Sequence, residues 1–324
     1  MRKVVVMGGG TGTFTILTGL KKYPVALTAL VAMADDGGST GVLRDELGVL
    51  PPGDVRQCLV ALSRESKLMR ELMNYRFEKG SLKGHNFGNL FLSALEKFTG
   101  SFDKAIEKAS EILRTEGKVI PSTLDKVVLI AELATGRKII SESRIYEANL
   151  KKLKRIYLKP KSKANPKALR ALKEADVIVM APGHFYASII PNLLVQGIPQ
   201  SICKSRAKKI FICNLMTKYG QTDTFSVYDF VDQTKKFLGC DFDYVIYNNR
   251  QPSAWLLKRY AREKEHLVST VLKKQKNVYK EKFIGGNLLN QKIAATKYPD
   301  LLKRNLIRHN PETTARLIMK LLKK

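Results

Sequence analysis

Six runs along the chain are almost continuously apolar and too short for buried helices: KVVVMGG (3–9), LTALVAMAD (27–35), VVLIAEL (127–133), DVIVMAPG (176–183), KIFICNLM (209–216) and DYVIYNN (243–249). Runs of this kind read as parallel strands covered on both faces. Between them lie segments whose apolar residues recur three and four positions apart, which predicts helices over 14–22, 53–65, 86–98, 102–113, 166–174 and 227–237. The stretch 101–117 shows the pattern best: Phe102, Ala105, Ile106, Ala109, Ile112 and Leu113 share one face, and Gly117 stands at the end. Alternating strands and helices predict an α/β fold with a doubly wound, mostly parallel sheet.

Two stretches break the alternation. Residues 122–147 alternate apolar and polar more strictly and carry a Thr-Gly turn, which allows a hairpin-like insertion in place of a strand of the main sheet. Residues 151–166 are basic and proline-punctuated, as in a surface loop with one strand, RIYLKP. ETTARLIMKLLKK reads as a closing amphipathic helix, and the lysine-rich region 261–324 is otherwise the least legible part of a single domain spanning 1–324.

Composition narrows the class. A chain of 324 residues with 44% hydrophobic content can bury a full core. No apolar run approaches the ~20 residues of a membrane span, so no membrane insertion is expected. The opening MRKVVVMGGG reads as a first strand rather than a signal peptide. Cys58, Cys203, Cys213 and Cys240 show no CxxC spacing, which argues against a zinc ribbon and a disulfide framework and favours a cytoplasmic setting. The net charge of +28 is concentrated after residue 150, which contributes +24 of it. No nucleic-acid motif or aromatic-basic interleaving accompanies it, so it reads as a solvated surface and no nucleic-acid partner is expected. A homo-oligomer is compatible with the sequence.

The chemistry-bearing residues gather where strands end. GGGTGT follows the first strand, so Gly9, Gly10, Thr11, Gly12 and Thr13 offer amides, hydroxyls and a helix N-terminus to an anion. Thr13 stands where GxGxxG requires glycine, and the lysine of GxxxxGK[ST] is missing, so neither an ordinary NAD site nor a P-loop is supported. ADDGGSTG ends the second strand. Asp35 and Asp36 can hold Mg²⁺, bind sugar hydroxyls or act as a base, with Gly37, Gly38, Ser39 and Thr40 behind them. Neighbours on an extended strand point opposite ways, so one aspartate faces the ligand and the other braces the loop; the sequence does not say which. Arg56 either clamps a phosphate or pairs with Asp35, Asp36 or Asp54. His85, Asn86 and Asn89 open another helix in GHNFGNL. Later strand ends bring Gly183, His184, Tyr186 and Ser188, then Asn214, Thr217 and Asp223, then Asn248 and Asn249. In an open α/β sheet such ends lie on one side, where ligands bind.

Taken together, GGGTG, ADDGGSTGVLRDELGVLPPGDVRQCLVAL, GHNFGNL, SIIPNLLV, CNLMT and IRHNPETTARLIMKLL resemble the YvcK-like family of gluconeogenesis factors, in the superfamily of the 2-phospho-L-lactate transferase CofD. The resemblance implies a three-layer Rossmann-like fold. It further implies binding of a UDP-sugar such as UDP-N-acetylglucosamine, and a link to cell shape, cell-wall metabolism and gluconeogenic growth. In the transferases a metal and an aspartate of the DDGGSTG loop move a phospho-substrate from a nucleotide diphosphate carrier, which is the alternative activity. By the resemblance, Gly9 to Thr13 face the diphosphate, Asp35 or Asp36 the metal or sugar, and Asn214, Thr217 and Asn248 the nucleoside. Tyr260 and Arg308 lie where the family has ligand-contacting Tyr and Arg. Three departures stand out: His184 replaces a small serine, Tyr219 precedes a glycine, and RHN replaces RHD.

Overall fold

A computed structural model describes residues 1–271, 279–290 and 306–322. Its core is a seven-stranded sheet in which every neighbouring pair is parallel. The strands are β1 (Arg2–Gly8), β2 (Val25–Val31), β3 (Lys118–Pro121), β7 (Val177–Met180), β8 (Lys208–Ile212), β9 (Tyr244–Asn248) and β10 (Lys282–Gly286), and their spatial order is β10-β9-β8-β7-β1-β2-β3. The chain winds outward from β1 through β2 to β3, then returns to the other side of β1 and winds from β7 to β10. The order therefore reverses between β1 and β7.

Strand alternation explains the two cores. Val4 and Val6 of β1 point into one apolar cluster, with Ile16, Leu59, Leu62, Leu92 and Ile318. Val5 and Met7 point into the other, with Leu129, Ile145, Phe211 and Phe230. Each such side chain contributes roughly 1.5–3 kcal/mol by leaving water. The first cluster is covered by α1 (Thr11–Leu20), α3 (Gly53–Leu62), α5 (Phe87–Thr99), α6 (Phe102–Ile112) and α13 (Pro311–Leu322). The second lies under α8 (Pro166–Glu174), α10 (Ile198–Lys204) and α11 (Val227–Leu238). The doubly wound α/β prediction and six helices of the pattern are realised, with ends shifted by a few residues.

VVLIAEL leaves the main sheet. Its residues form β4 (Val128–Leu133), the centre of a three-stranded antiparallel sheet with β5 (Lys138–Ile140) and β6 (Leu153–Lys159). This is the hairpin insertion that the stricter alternation allowed, and the strand expected at RIYLKP joins it as β6. Between β5 and β6 sits α7 (Glu142–Glu147), which the pattern did not announce. Also unforeseen are β3 and β10, short and in the latter case glycine-rich, and α2 (Gly38–Leu47), whose glycines read as a turn.

The lysine-rich region supplies β10 and the closing helix α13 to this same architecture; the remainder of the KFIGGNLLNQKIAATKYPDLLKRN segment, 291–305, lies outside the described residues. The cysteine expectation needs correction. Cys203 and Cys240 form a disulfide across a separation of 37 residues, because the ends of α10 and α11 meet; no spacing motif signals it. Cys58 and Cys213 are buried thiols. Among the described residues no helix is long and apolar enough to cross a membrane.

Candidate functional site

The loop after β1 leads directly into α1 and packs tightly against the loop after β7. A Cβ on Gly12 would overlap the carbonyl of Pro182, and one on Gly9 would lie 2.8 Å from Cβ of Ser188. Glycine is required here by close approach. The two loops flank the point where strand order reverses, the place where open α/β sheets bind ligands. Asn192, buried in α9 (Ile190–Leu193), fastens them: its Nδ2 donates to the carbonyls of Gly8 at 3.2 Å and Ser188 at 3.0 Å. Phe185–Ile189 forms one turn of π-helix, which displaces the chain locally.

The two aspartates after β2 separate as alternating side chains must. Asp36 turns toward the inserted sheet. Its carboxylate accepts from Ser141 Oγ at 2.9 Å, Glu142 N at 3.1 Å and Ser143 N at 2.9 Å, and lies 3.6 Å from Arg44 Nη1. Its side chain is 2% exposed. Asp36 is the bracing carboxylate. Asp35 turns the other way, accepts from Gly37 N at 3.0 Å, and bonds the Thr40 side chain. Burial raises its pKa, and the Asp36 charge adds to the shift against the opposing effects of Gly37, Thr40 and Arg56.

A further carboxylate stands beside it. Asp54, in the first turn of α3, faces the glycine loop: a Cβ on Gly9 would lie 2.9 Å from its Oδ2. Burial, and then the Asp35 charge, push it up to about 8, opposed by Arg56 and by a hydrogen bond from the Gly10 backbone. Gln57 lies one turn further, with its Oε1 3.3 Å from the Thr11 hydroxyl. Glu142 completes the group. Partial burial pushes its pKa well above the usual carboxylate range, and the charges of Asp35, Asp54 and Asp36 act in the same direction.

Arg56 and GHNFGNL stand behind this edge. Arg56 is buried; its Nε donates to Asn89 Oδ1 at 2.9 Å, and its Nη1 to Asn74 Oδ1 at 2.5 Å and the Met73 carbonyl at 3.3 Å. Asn89 Nδ2 approaches Ser39 Oγ at 3.4 Å and Thr40 Oγ1 at 3.5 Å. Asn86 caps α5 by accepting from Asn89 N, while His85 Nδ1 lies 3.4 Å from Ser39 Oγ. These residues therefore order the DDGGST loop from behind.

On the β7 side, His184 carries no charge. Burial, assisted by the Lys218 charge, lowers it to about 3, so the ring is neutral. Its Nδ1 accepts from Ala187 N at 3.2 Å, which leaves the proton on Nε2, a buried atom with no partner among the described residues. The ring lies 4.3 Å from that of Tyr146, and Lys218 Nζ stands 5.1 Å from the Tyr146 ring. Asn214 grips the neighbouring loop, donating to the Gly183 carbonyl at 2.7 Å.

Other sequence-predicted residues are engaged in holding the framework. Tyr186 is buried against Phe185. Thr217 exchanges hydrogen bonds with the backbone of His266 at 2.8 and 2.9 Å. Asp223 accepts from Gly220 N at 3.0 Å. Asn248 bonds the backbone of Arg250 and Leu288, while Asn249 is exposed. The buried Tyr260 hydroxyl accepts from Leu306 N at 2.8 Å and Ile307 N at 3.2 Å. It thereby fixes the segment leading to Arg308. His309 follows, and its Nε2 lies 3.1 Å from the Cys213 carbonyl, so Arg308 stands beside the end of β8. Asp54, Gln57, Glu142, Tyr146 and Asn192 are missing from the sequence-based set. PPGD and PNLL contain the first and last, but only folding brings the insertion's Glu142 and Tyr146 to this edge. A groove of about 530 Å³ between α10 and α11 is lined mainly by apolar residues and Lys204 and lies away from these strand ends.

Comparison with known proteins agrees with this architecture. Residues 4–284 match the family described as 2-phospho-L-lactate transferase CofD. A gluconeogenesis factor of Bacillus subtilis is 38% identical over 324 residues, covering 99% of this chain and 98% of the relative. One from Halalkalibacterium halodurans is 43% identical over 266 residues, covering 81% of this chain and 82% of the relative. The crystal structure of a UPF0052 family member from Bacillus halodurans superposes with a TM-score of 0.89 at 38% identity, covering 98% of this chain and 100% of that one.

Proposed function

The chain belongs to the CofD family, among its gluconeogenesis factors, and on that footing we propose that it is a regulatory protein that binds a nucleotide sugar of the UDP-N-acetylglucosamine type. Its setting in this reading is the cytoplasm, and its output bears on carbon metabolism, cell-wall metabolism and cell shape. The observation that carries the reading is the position of the glycine loop and Asp35 at the strand-order reversal between β1 and β7. Gly9–Thr13 and the start of α1 suit a diphosphate, since the amides at a helix N-terminus attract anions. Gly183, Ser188, Asn214 and the neutral Nε2–H of His184 suit the neutral hydroxyl and carbonyl groups of a sugar or base.

Mg²⁺ fits this donor set. It favours oxygen ligands and is commonly held by one or two carboxylates together with substrate phosphates. Asp35 and Asp54 would hold it, since Asp36 is engaged with the start of α7. Among the described residues no group of three His, Cys, Asp or Glu side chains is arranged to hold an ion alone, so the ligand's phosphates would complete its coordination. When bound, the ion would neutralise phosphate charge.

One observation favours the second reading, a phospho-substrate transferase. Asp54, raised to about 8, keeps a proton at neutral pH and so suits acid–base work next to the glycine loop. Calorimetry with UDP-N-acetylglucosamine and Mg²⁺, followed by chromatography of the ligand, separates the two. Saturable binding with intact ligand supports the regulator. Consumption of the ligand replaces it with the transferase.

A further inference from the structure

Neither the positive charge of the second half nor Tyr219 has a place in the site above, and the two meet on the surface. The turn after β8 and the segment after α12 (Ala254–Arg262) run antiparallel and are fastened at successive positions. Met216 pairs with Leu267, Thr217 exchanges hydrogen bonds with the His266 backbone at 2.8 and 2.9 Å, and Lys218 Nζ reaches Glu265 at 3.1 Å. The next pair in this register is Tyr219 with Lys264. Lys264 holds a left-handed backbone with φ of 57°, which residues other than glycine seldom adopt. Its Nζ lies 4.9 Å from the centre of the Tyr219 ring, and Lys151 Nζ approaches the same ring at 5.3 Å. Tyr219 is 41% exposed.

The helix continues the pattern. Trp255, Lys258, Arg259 and Arg262 are spaced i, i+3, i+4 and i+7 along α12, so they form one stripe about 10 Å long. All four are exposed, Trp255 by 51%. The opposite face of the helix is the anchored one, through the buried Tyr260 and its bonds to Leu306 and Ile307. Cations in the last turn suit the helix dipole, but neither the dipole nor the core requires a half-exposed tryptophan beside them. Two acids nearby are engaged, Glu265 with Lys218 and Asp223 with Lys151 at 3.9 Å, while Glu263 stands exposed between Arg262 and Lys264. The stripe ends two residues before Lys264, so rings and cations alternate from Trp255 to Tyr219.

We propose that this surface, from Trp255 along α12 to Tyr219, binds single-stranded nucleic acid. Its cations take the phosphates and its two exposed rings stack on unpaired bases, the combination that holds such strands without regard to sequence. A duplex offers no unstacked base, and an anionic membrane would need more apolar surface than these two rings present. The partner departs from the expectation of a merely solvated charge, because the interleaved rings and cations come from separate segments that only folding joins. The inference is independent of the nucleotide-sugar reading.

Trp255 is the single tryptophan of the chain, so its fluorescence reports on this surface directly. An oligothymidylate of about 12 nucleotides, titrated into the full chain at rising salt, quenches it, and the logarithm of the binding constant falls with that of salt at a slope of about −3. Tyr219→Ala weakens binding at least about fivefold, read through the same signal. Arg259→Gln with Arg262→Gln reduces the slope by about 1.4, whereas Arg170→Gln with Lys173→Gln, which removes as much charge from α8, leaves it unchanged. These positions are all exposed, and melting curves check the fold. No quenching at about 0.15 M salt overturns the proposal. Equal losses from both double variants, or a Tyr219→Ala protein that binds like wild type, also overturn it, since charge alone then accounts for the binding. A Trp255 response to phosphatidylglycerol vesicles with none to the oligothymidylate replaces the nucleic acid with a membrane surface and likewise overturns it.

Discussion

Replacing Asp36 by alanine separates bracing from ligand contact. The carboxylate accepts three hydrogen bonds at 2.9, 3.1 and 2.9 Å from the start of α7, with a side chain 2% exposed. Hydrogen bonds to a charged group contribute about 1.5–3 kcal/mol each, and they are not additive within one network. Part of the loss is offset, because Ser141 is held at a φ of 103° and can relax once released, recovering about 1–3 kcal/mol. The net expectation is a loss of about 3 kcal/mol, in line with removing one partner of a buried charged network. At about 2 °C per kcal/mol for a chain of this size, the melting temperature falls by about 6 °C. Scanning calorimetry measures it, and hydrogen exchange locates the loosening at 142–147. Asp35→Asn serves as the contrast. It removes a carboxylate whose charged form is disfavoured by burial, so stability is unchanged or improved. An Asp36→Ala protein melting with wild type, or an Asp35→Asn protein losing more, would refute the division of roles.

Three further outcomes follow from the same geometry. Gly12→Ala drives a methyl group into the Pro182 carbonyl, so it costs about 1–3 kcal/mol and reduces nucleotide binding; a wild-type melting curve with full binding contradicts the close packing of the two loops. Tyr260→Phe leaves the amides of Leu306 and Ile307 without their acceptor and lowers stability by about 1–3 kcal/mol; unchanged stability with lost UDP-sugar binding would instead make the hydroxyl a ligand contact. For Asp54 the sign follows from its raised value. The folded state binds this proton more tightly than the unfolded state, so its contribution to stability is fully present below pH 3.8 and is lost as pH rises through about 8. In EDTA, Asp54→Asn should therefore gain stability over wild type as pH rises across that window, and a pH-independent difference in unfolding free energy contradicts the assignment.

The parallel sheet was legible because β1, β2, β7, β8 and β9 are buried on both faces and their sequences show it directly. β10 was not, since KFIGG combines two glycines with a lysine and only its neighbour β9 gives it a partner. The glycine loop and the aspartate pair were legible as strand-end turns of one sheet because turn chemistry is local. The direction of each aspartate was not, because it depends on α7, more than a hundred residues later in the chain. Glu142 illustrates the general difficulty. ISESRIYE carries no pattern that tells that its backbone amides are held by Asp36; only the insertion's path decides it. The same holds for Cys203 and Cys240, whose pairing is a consequence of how α10 and α11 end.

In the proposed reading the ligand sits where strand order reverses, between the glycine loop, the aspartate loop and the inserted α7. Hydrogen exchange of the full chain, with and without UDP-N-acetylglucosamine and Mg²⁺, tests it directly. The account predicts added protection at 8–13, 35–40, 142–147 and 181–188. Protection confined to the groove between α10 and α11, or none at these four segments under saturating ligand, would contradict it.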